Sequence, residues 1–354
     1  MKIVSIVGAR PQFVKEAIIQ AEIRKHKEIE EVLIHTGQHY DENMSGIFFD
    51  ILNMTPPKYN LGINGKTHGQ MTGQMLMEIE EILMEENPDV VILYGDTDST
   101  LAGALAASKL KIKVAHIEAG LRQEPKDMPE ETNRVLTDHI SSYLFVPSET
   151  GIENLKKEGL KENVFFTGDV MYDIFLAMEE YFDASLMREY GLEKNNYIVM
   201  TLHRDFNVDY KDKLQTILEQ VQKIAKEIPV ILPIHPRTKK RVEEFGLESL
   251  LEGITVTQPI DYLKLMGLTK YCYKTITDSG GYQKESYFAD KESIIIMPDT
   301  SWRELTDAGM NVLVEPHEIY DAVKRENEGE FEKYIYGKGN AAEEIISILK
   351  DDLA

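Results

Sequence analysis

Short apolar segments recur along the chain, and each is followed by a turn and then by a stretch with helical periodicity. The segments are apolar on both faces and helices separate them, so they predict strands of a parallel sheet that is covered on both sides. The predicted strands are residues 3–7, 32–36, 90–94, 114–117, 143–146 and 164–167 in the first half, and 198–201, 230–234, 254–257, 274–277, 293–297 and 312–314 in the second.

Two stretches show the clearest helical pattern. Between Tyr210 and Glu227 the apolar residues fall at spacings of three, four and seven, which places them on one buried face. A methionine-rich stripe between Gln70 and Glu86 has similar spacing, and we interpret it as core packing. The last helical pattern, residues 341–349, fits either half of the chain.

The length of 354 residues suits two domains of about 150 to 200 residues each. Six predicted strand–helix units lie on each side of about residue 170. We therefore predict an α/β fold in which two doubly wound, Rossmann-like domains face a cleft. The N-terminal domain comprises residues 1–169 and the C-terminal domain residues 170–339, with the helix at 340–354 as a candidate to pack on the N-terminal domain.

Charge and composition exclude several classes of partner. Lys and Arg total 39 against 61 Asp and Glu, giving a net charge of −22, so we expect neither nucleic acid nor an anionic membrane as a partner. No apolar run is long enough for a signal peptide or a membrane span. The single cysteine, Cys272, excludes an internal disulfide and a cysteine-based zinc site. We expect a soluble, cytoplasmic protein.

Ionisable residues concentrate just after the predicted strands, where open parallel sheets bind their ligands. In the first half these positions are residues 8–12, 35–39, 95–100 and 116–122, and residues 129–134 then open a helix. In the second half they are residues 201–204, 234–237 and 277–281. The basic residues among them would make a cleft locally positive: Arg10, Lys15, Arg122, Arg134, His203, Arg204, His235 and Arg237.

Ser279, Gly280 and Gly281 form the segment that most directly suggests a ligand. Ser279 suits a helix N-cap, and the two glycines let a phosphate approach free N–H groups at the helix N-terminus. Glu285, one turn further on, would accept hydrogen bonds from ribose hydroxyls. The alternative interpretation is a tight strand-to-helix turn that needs glycine for packing.

Other nucleotide motifs are absent from the sequence. No G-x-G-x-x-G follows the first strand, and no G-x-x-x-x-G-K-[ST] occurs, which disfavours dinucleotide oxidoreductases and P-loop ATPases. His35 and His39 have the spacing H-x-x-x-H, but they lie at the end of a predicted strand and do not share a helix face, so no metal is implied.

Three carboxylates stand at separate strand or helix ends: Asp96, Glu118, and either Glu130 or Glu131. One such acid is ordinarily an N-cap or an ion-pair partner. Three of them in one cleft, with His203 opposite, are better explained by proton transfer.

The other histidines divide into two groups. We interpret His35 and His116 as hydrogen-bonded histidines near the core. His235, like His203, precedes an arginine at a strand end, where a role in the site is more expected.

Together these segments resemble the non-hydrolysing UDP-N-acetylglucosamine 2-epimerases, in the same order and over essentially the whole chain. The matching strings are Gly8-Ala9-Arg10-Pro11-Gln12-Phe13-Val14-Lys15, Gly95-Asp96-Thr97, His116-Ile117-Glu118-Ala119-Gly120-Leu121-Arg122, Pro129-Glu130-Glu131-Thr132-Asn133-Arg134, Thr201-Leu202-His203-Arg204 and Thr277-Asp278-Ser279-Gly280-Gly281.

The resemblance implies a two-domain fold like that of the GT-B glycosyltransferases, with a UDP-sugar in the cleft and the nucleotide on the C-terminal domain. It also implies a homodimer, and a C-terminal helix that crosses back to the N-terminal domain. The implied reaction inverts C2 of UDP-N-acetylglucosamine through elimination of UDP to a 2-acetamidoglucal and re-addition of UDP. The family uses neither nicotinamide nor metal, so no cofactor is expected.

The resemblance also assigns residues by motif. Asp96, Glu118 and Glu130 are the acid/base candidates, with Glu130 preferred to Glu131 from the alignment of the Pro-Glu-Glu string. The candidates for holding or polarising the diphosphate and sugar are Arg10, Lys15 and His203, with Arg134 and His235 as further substrate-binding residues. Phosphate would be bound by Ser279, Gly280 and Gly281, and ribose by Glu285.

Some strings look more like a subgroup that includes the UDP-2,3-diacetamido-2,3-dideoxyglucuronate 2-epimerases. That substrate carries a carboxylate at C5 and would need another cation, which the sequence does not identify. Tyr40-Asp41 stand where regulated bacterial members carry Arg-Gln, so the resemblance does not extend to allosteric activation by substrate. The subgroup-like strings are residues 35–41, 67–73 and 302–305.

Three other functions agree less well with the sequence. A GT-B glycosyltransferase would share the architecture, but the three carboxylate motifs argue against it. A nucleotide-sugar-binding regulator without chemistry would have neutral residues at these positions. A hydrolysing epimerase would release free N-acetylmannosamine, and the strings resemble the non-hydrolysing branch more.

Overall fold

The computed structural model describes residues 1–37, 51–123, 126–326 and 331–353. The chain forms two compact units, the first comprising Met1–Ala177 with Tyr334–Ala354 and the second Met178–Lys333. The division thus lies eight residues beyond the expected boundary at 169, because the helix Val170–Met178 continues almost entirely within the first unit. Residues 38–41, part of the subgroup-like strings, lie outside the described residues.

The first unit contains a parallel sheet of seven strands in the order β3-β2-β1-β4-β5-β6-β7. The order reverses direction at β1, whose neighbours are β2 and β4, as in a doubly wound sheet. Its strands are β1 (Lys2–Val7), β2 (Glu30–His35), β3 (Tyr59–Asn60), β4 (Val90–Tyr94), β5 (Lys113–Ile117), β6 (Tyr143–Val146) and β7 (Val164–Phe166).

The second unit repeats this plan with six parallel strands in the order β10-β9-β8-β11-β12-β13. Its reversal lies at β8, which pairs with β9 and β11. The strands are β8 (Ile198–Thr201), β9 (Val230–Pro233), β10 (Thr255–Thr257), β11 (Lys274–Thr277), β12 (Ser293–Ile295) and β13 (Asn311–Leu313).

The predicted α/β class is confirmed, since a strand occurs at each of the twelve expected places. Strand β3 was not predicted; it has only two residues and pairs with β2 at the edge of the sheet. Two residues carry too little alternation to be recognised as a strand.

Helices alternate with these strands and bury their apolar faces against the sheets. Leu214, Leu218 and Val221 of the helix Lys211–Ala225 lie in the core of the second unit. Met75 and Ile79 of the helix His68–Glu86 lie in the core of the first, as the methionine stripe indicated. Within the described ranges, no helix combines the length and the apolar character needed to cross a membrane.

In the described part of the first unit the helices are Arg10–Ile23, His68–Glu86, Asp98–Lys109, Pro129–Ile140, Glu149–Lys157, Val170–Met178 and Ala341–Leu353. Those of the second unit are Ser185–Glu189, Asp205–Val208, Lys211–Ala225, Pro236–Phe245, Tyr262–Tyr271, Gly280–Phe288, Arg303–Asp307 and Ile319–Lys324. Short 3-10 turns occupy Glu179–Tyr181, Glu248–Leu251 and Pro316–Glu318.

The last helix, Ala341–Leu353, belongs to the first unit although it follows the second in sequence. Ile345, Ile346 and Leu349 are fully buried there. The backbone N–H of Ala342 donates to the Asp173 carboxylate at 2.8 Å, which attaches the beginning of the helix.

Candidate active site

Gln12 joins the ends of β1 and β4, where the first sheet reverses. Its Oε1 accepts hydrogen bonds from the backbone N–H groups of Gly8 at 2.8 Å and Ala9 at 3.0 Å. Its Nε2 donates to the carbonyl of Tyr94 at 2.6 Å and to the Thr97 hydroxyl at 3.0 Å. One buried amide therefore fixes the loops after β1 and β4 to each other, at the position where doubly wound sheets bind ligands.

Glu118 is the first residue after β5 and is ion-paired with Lys15, on the second turn of the helix Arg10–Ile23. The side chains are only 12% and 8% exposed. Glu118 has φ +73°, a left-handed conformation that non-glycine residues adopt at a cost and that clusters at functional sites. A Cβ on Gly95 would lie 3.1 Å from Glu118 Oε2, so the absence of a side chain at Gly95 leaves room for this carboxylate.

Asp96 follows β4 and is ion-paired with Arg134 of the helix Pro129–Ile140. Arg134 Nη1 also donates to Glu131 Oε2 at 2.6 Å. Burial acts to lower the pKa of Arg134, but the two carboxylates outweigh it and raise that pKa, so the guanidinium stays charged. Glu131 is buried, whereas Glu130 is exposed at the start of the helix.

Asp96 does not cap a helix. Thr97 is the N-cap of the helix Asp98–Lys109, and its hydroxyl accepts from Thr100 N–H at 3.4 Å. Ion pairing, the other ordinary role of such an acid, is present at both Asp96 and Glu118. Their partners are largely buried cations, so both carboxylates are held at the ends of neighbouring strands.

The first unit thus brings together Asp96, Glu118, Lys15 and Arg134 at the ends of β4 and β5. Arg10 begins the helix that follows β1 and is half-buried.

Arg122 does not add the positive charge that was expected of it in the cleft. Its guanidinium contacts Asp138 at 2.8 Å and Glu158 at 2.6 Å, which neutralise its charge. Arg237 in the second unit is paired similarly, with Asp209 at 2.5 Å. The number of basic residues at strand ends therefore overstates the positive charge available to a ligand.

In the second unit, buried Asp278 organises the loop after β8. Its carboxylate accepts from the backbone N–H groups of His203 at 3.0 Å and Arg204 at 2.9 Å, and from Asn207 Nδ2 at 3.2 Å. His203 Nδ1 lies 3.4 Å from the same carboxylate. Burial lowers the pKa of His203, and Asp278 opposes that shift only in part, so the imidazole is neutral near pH 7.

His235 is the N-cap of the helix Pro236–Phe245 and stands beside His203, with ring centroids 5.4 Å apart. Its Nδ1 accepts from the backbone N–H of Arg237 at 3.1 Å. A neutral ring that accepts at Nδ1 carries its hydrogen on Nε2, which leaves that nitrogen as a hydrogen-bond donor.

Ser279 is the N-cap of the helix Gly280–Phe288, and its hydroxyl accepts from Tyr282 N–H at 3.4 Å. A Cβ on Gly280 or Gly281 would meet no described atom within 4 Å, and neither residue has a positive φ. Neither packing nor backbone conformation therefore requires glycine here. Open space at a helix N-terminus instead leaves N–H groups accessible to an anion. Glu285 lies half-buried one turn further along the helix.

Three organising residues had no role predicted from the sequence: Gln12 and Asp278 stood in the quoted strings without one, and Asp138 was not singled out. Each is a buried polar side chain, and many such residues merely satisfy local hydrogen bonds. Among the described residues, no cluster of three or more His, Cys, Asp or Glu side chains is placed to bind a metal ion.

Comparison with known proteins gives a consistent result. A family model described as UDP-N-acetylglucosamine 2-epimerase matches residues 21–350. A "UDP-N-acetylglucosamine 2-epimerase homolog" from Methanococcus maripaludis is 45% identical, over 99% of this chain and 100% of the relative. A UDP-2,3-diacetamido-2,3-dideoxy-D-glucuronate 2-epimerase from Pseudomonas aeruginosa is 46% identical, over 89% of this chain and 88% of the relative.

The fold is also similar to that of solved structures. The UDP-GlcNAc 2-epimerase of Methanocaldococcus jannaschii, in complex with UDP-GlcNAc and UDP, superposes with a TM-score of 0.82 at 42% identity. The match covers 99% of this chain and 100% of that one.

Proposed function

Because this chain belongs to the UDP-N-acetylglucosamine 2-epimerase family, we propose that it inverts C2 of UDP-N-acetylglucosamine to give UDP-N-acetylmannosamine. The enzyme is an isomerase. The observation that carries the proposal is the pair of carboxylates, Asp96 and Glu118, held at the ends of neighbouring strands by largely buried cations. A solved relative with UDP-GlcNAc and UDP in its complex supports the choice of substrate.

The reaction needs proton transfer and a leaving group but no change of oxidation state. A base removes the C2 proton while the bond between C1 and the diphosphate oxygen breaks, giving 2-acetamidoglucal and UDP. The same oxygen then attacks C1 again, and an acid delivers a proton to the opposite face of C2. Catalysis therefore requires acid/base groups for C2 and cations or N–H donors for the departing diphosphate.

In the first unit, Asp96 and Glu118 are the proposed acid/base pair, with exposed Glu130 as a third candidate. Lys15 and Arg134 fix the two carboxylates, so their orientation does not have to be acquired when substrate binds. Arg10, at the end of β1, is the proposed additional cation for the substrate.

In the second unit, Gly280 and Gly281 are proposed to donate N–H groups to the diphosphate, and Glu285 to accept from the ribose. Open space at both glycines supports this assignment. Neutral His203, whose Nδ1 lies 3.4 Å from the Asp278 carboxylate, is a further candidate for contact with the diphosphate and the sugar. His235, beside it, offers a hydrogen-bond donor at Nε2.

The test is incubation with UDP-GlcNAc in deuterated water. We expect UDP-ManNAc to form and deuterium to enter C2. Asp96→Asn and Glu118→Gln should each lower turnover by about 100-fold or more, because each removes an acid/base group, while UDP affinity changes little. Glu153→Gln, an exposed carboxylate on the helix Glu149–Lys157, is the matched control and should be fully active.

Wild-type rates in both variants would remove Asp96 and Glu118 from the acid/base role. Absence of C2 exchange in the wild-type protein, with UDP-GlcNAc and with the diacetamido-glucuronate substrate, would overturn the proposed function itself. Transfer of the sugar to an acceptor, or release of free sugar, would indicate the other reaction classes.

The second candidate substrate is UDP-2,3-diacetamido-2,3-dideoxyglucuronate. The relative named for that activity is 46% identical, compared with 42% and 41% for two archaeal relatives named for UDP-GlcNAc. Parallel measurement of kcat/KM on both substrates decides between them. A higher kcat/KM for the glucuronate derivative would identify that derivative, and not UDP-GlcNAc, as the physiological substrate.

We further propose a cytoplasmic homodimer that supplies an activated sugar for polysaccharide synthesis. A lone, fully buried cysteine suits a reducing compartment. Sedimentation velocity measures the oligomer, and fractionation of the native host measures the location. A monomer, or protein recovered only outside the cytoplasm, would contradict the respective part.

A further inference from the structure

His116, the fourth residue of β5, links two elements of the first unit through its buried ring. Its Nε2 lies 2.7 Å from the carbonyl oxygen of Gly95, the residue directly before Asp96. Its Nδ1 lies 2.7 Å from Asp138 Oδ1, on the helix Pro129–Ile140. The ring therefore connects the loop after β4 with a buried carboxylate.

The other oxygen of Asp138 reaches the loop after β5. Asp138 Oδ2 accepts from the backbone N–H of Gly120 at 3.1 Å and from Arg122 Nη1 at 2.8 Å. Gly120 stands two residues after Glu118. A single imidazole–carboxylate pair thus contacts both loops that carry the proposed acid/base residues.

The hydrogen positions in this network follow from its acceptors. Burial acts to raise the pKa of Asp138, but His116 and Arg122 outweigh it and lower that pKa, so Asp138 is an ionised acceptor. The Gly95 carbonyl can only accept. Both ring nitrogens of His116 therefore donate. Arg122 also contacts Glu158 at 2.6 Å, so positive and negative groups alternate along the network.

Both loops have backbone conformations that need support. Gly95, Glu118 and Gly120 have φ values of +62°, +73° and +81°. A left-handed conformation at Glu118 persists only where surrounding contacts outweigh its cost. A Cβ on Gly120 would lie 2.6 Å from the Gly151 carbonyl oxygen, so this loop also packs closely against the helix Glu149–Lys157.

We propose that His116 and Asp138 are positioning residues, which hold Asp96 and Glu118 in the geometry for proton transfer through the Gly95 carbonyl and the Gly120 N–H. The inference rests on the proposed function, because it concerns the carboxylates assigned there. The pair does not touch substrate in this proposal. It sets where the two carboxylates stand.

Asp138→Asn and His116→Gln are the test variants. A carboxylate displaced by about 1 Å loses about 100-fold in rate, so we expect kcat to fall by about 10- to 100-fold. UDP Kd and KM should stay within about twofold, since diphosphate binding is proposed for other residues. If both residues act through the same hydrogen-bond network, the decrease in kcat of the double variant should be much smaller than the product of the two single decreases.

The matched control is Asp173→Asn, a buried aspartate of the same unit that contacts the last helix instead of these loops. Its kcat should equal that of the wild type. A kcat reduction in Asp138→Asn no larger than in this control, or a loss confined to KM or to thermal stability, would overturn the positioning role.

A second measurement needs no turnover. Nitrogen-15 spectra of the histidine-labelled wild-type protein should show a hydrogen-bonded N–H at both ring nitrogens of His116, with Asp138→Asn altering that signal. A ring with one bare nitrogen would refute the network. If the wild-type enzyme is inert on both UDP-sugars the proposed function fails, whereas an active enzyme with unaffected variants refutes only this inference.

Discussion

Glu130 and Glu131 are adjacent in sequence but occupy different environments. The Glu131 carboxylate is buried and accepts from Arg134 at 2.6 Å and from the backbone N–H of Gln123 at 3.0 Å. Glu130 is exposed on the same turn. Helical geometry points neighbouring side chains about 100° apart, so one glutamate faces the core while the other remains accessible.

The two glutamates should therefore respond differently to the same substitution. Glu131→Gln removes a buried charge beside Arg134 and should lower the free energy of unfolding by about 1 to 3 kcal/mol. Glu130→Gln should leave stability unchanged and lower kcat. Urea unfolding and steady-state kinetics on both variants check this. A stable but inactive Glu131→Gln, with an active Glu130→Gln, would reverse the assignment.

At the scale of one element, the helix Gly280–Phe288 begins with two glycines that the fold does not need. Space is open at both positions, and both backbones have negative φ. Alanine is preferred to glycine within helices by about 1 kcal/mol. Glycine at these two positions therefore lowers the stability of the helix. Residues that lower stability without a structural reason are typical of functional sites.

Gly281→Ala should separate binding from folding. We expect an equal or slightly higher melting temperature, because alanine favours the helix, and UDP affinity weakened by about tenfold or more, because the methyl group occupies phosphate space. Isothermal titration with UDP measures the second effect. Gly73→Ala, in the helix His68–Glu86 where a Cβ also meets no described atom, is the matched control and should bind UDP normally. Unchanged UDP binding in Gly281→Ala would remove this helix from the phosphate site.

At the scale of the whole molecule, the chain returns to its first unit after completing the second. Asp173 holds the returning helix through the N–H of Ala342. Burial raises the pKa of Asp173 to about 6, with the backbone hydrogen bonds opposing that shift only in part. An ionised carboxylate is therefore retained at neutral pH at a cost to folding.

The sign of this effect defines a pH test. Because the folded-state pKa exceeds the ordinary value of 3.8, the native state binds the proton more tightly, and stability falls as pH rises from about 4 to 6. The Asp173→Asn variant has no carboxylate at this position, so it should not lose this part of its stability as pH rises. Its stability relative to wild type should rise by up to about 3 kcal/mol between pH 4 and pH 8, measured by urea unfolding. A pH-independent difference would contradict the raised pKa.

Much of the architecture was predictable because strands buried on both faces are nearly continuous apolar runs. Residues 90–94, 143–146, 198–201 and 274–277 were predicted with the observed bounds. The boundary between the two units was less predictable, because no local sequence pattern indicates which sheet the helix Val170–Met178 packs against. The edge strand β3 was missed because it has only two residues.

By itself the sequence determined the alternation of strands and helices, the residue types at the strand ends and the family resemblance, since these depend on local order along the chain. Only the tertiary structure decided which charges are already paired. Arg122 lies beside Asp138 and Glu158, and buried Asp138 contacts His116, Gly120 and Arg122, which are 16 to 22 residues away. Ion pairs and buried hydrogen bonds depend on distance in space, which no local pattern specifies.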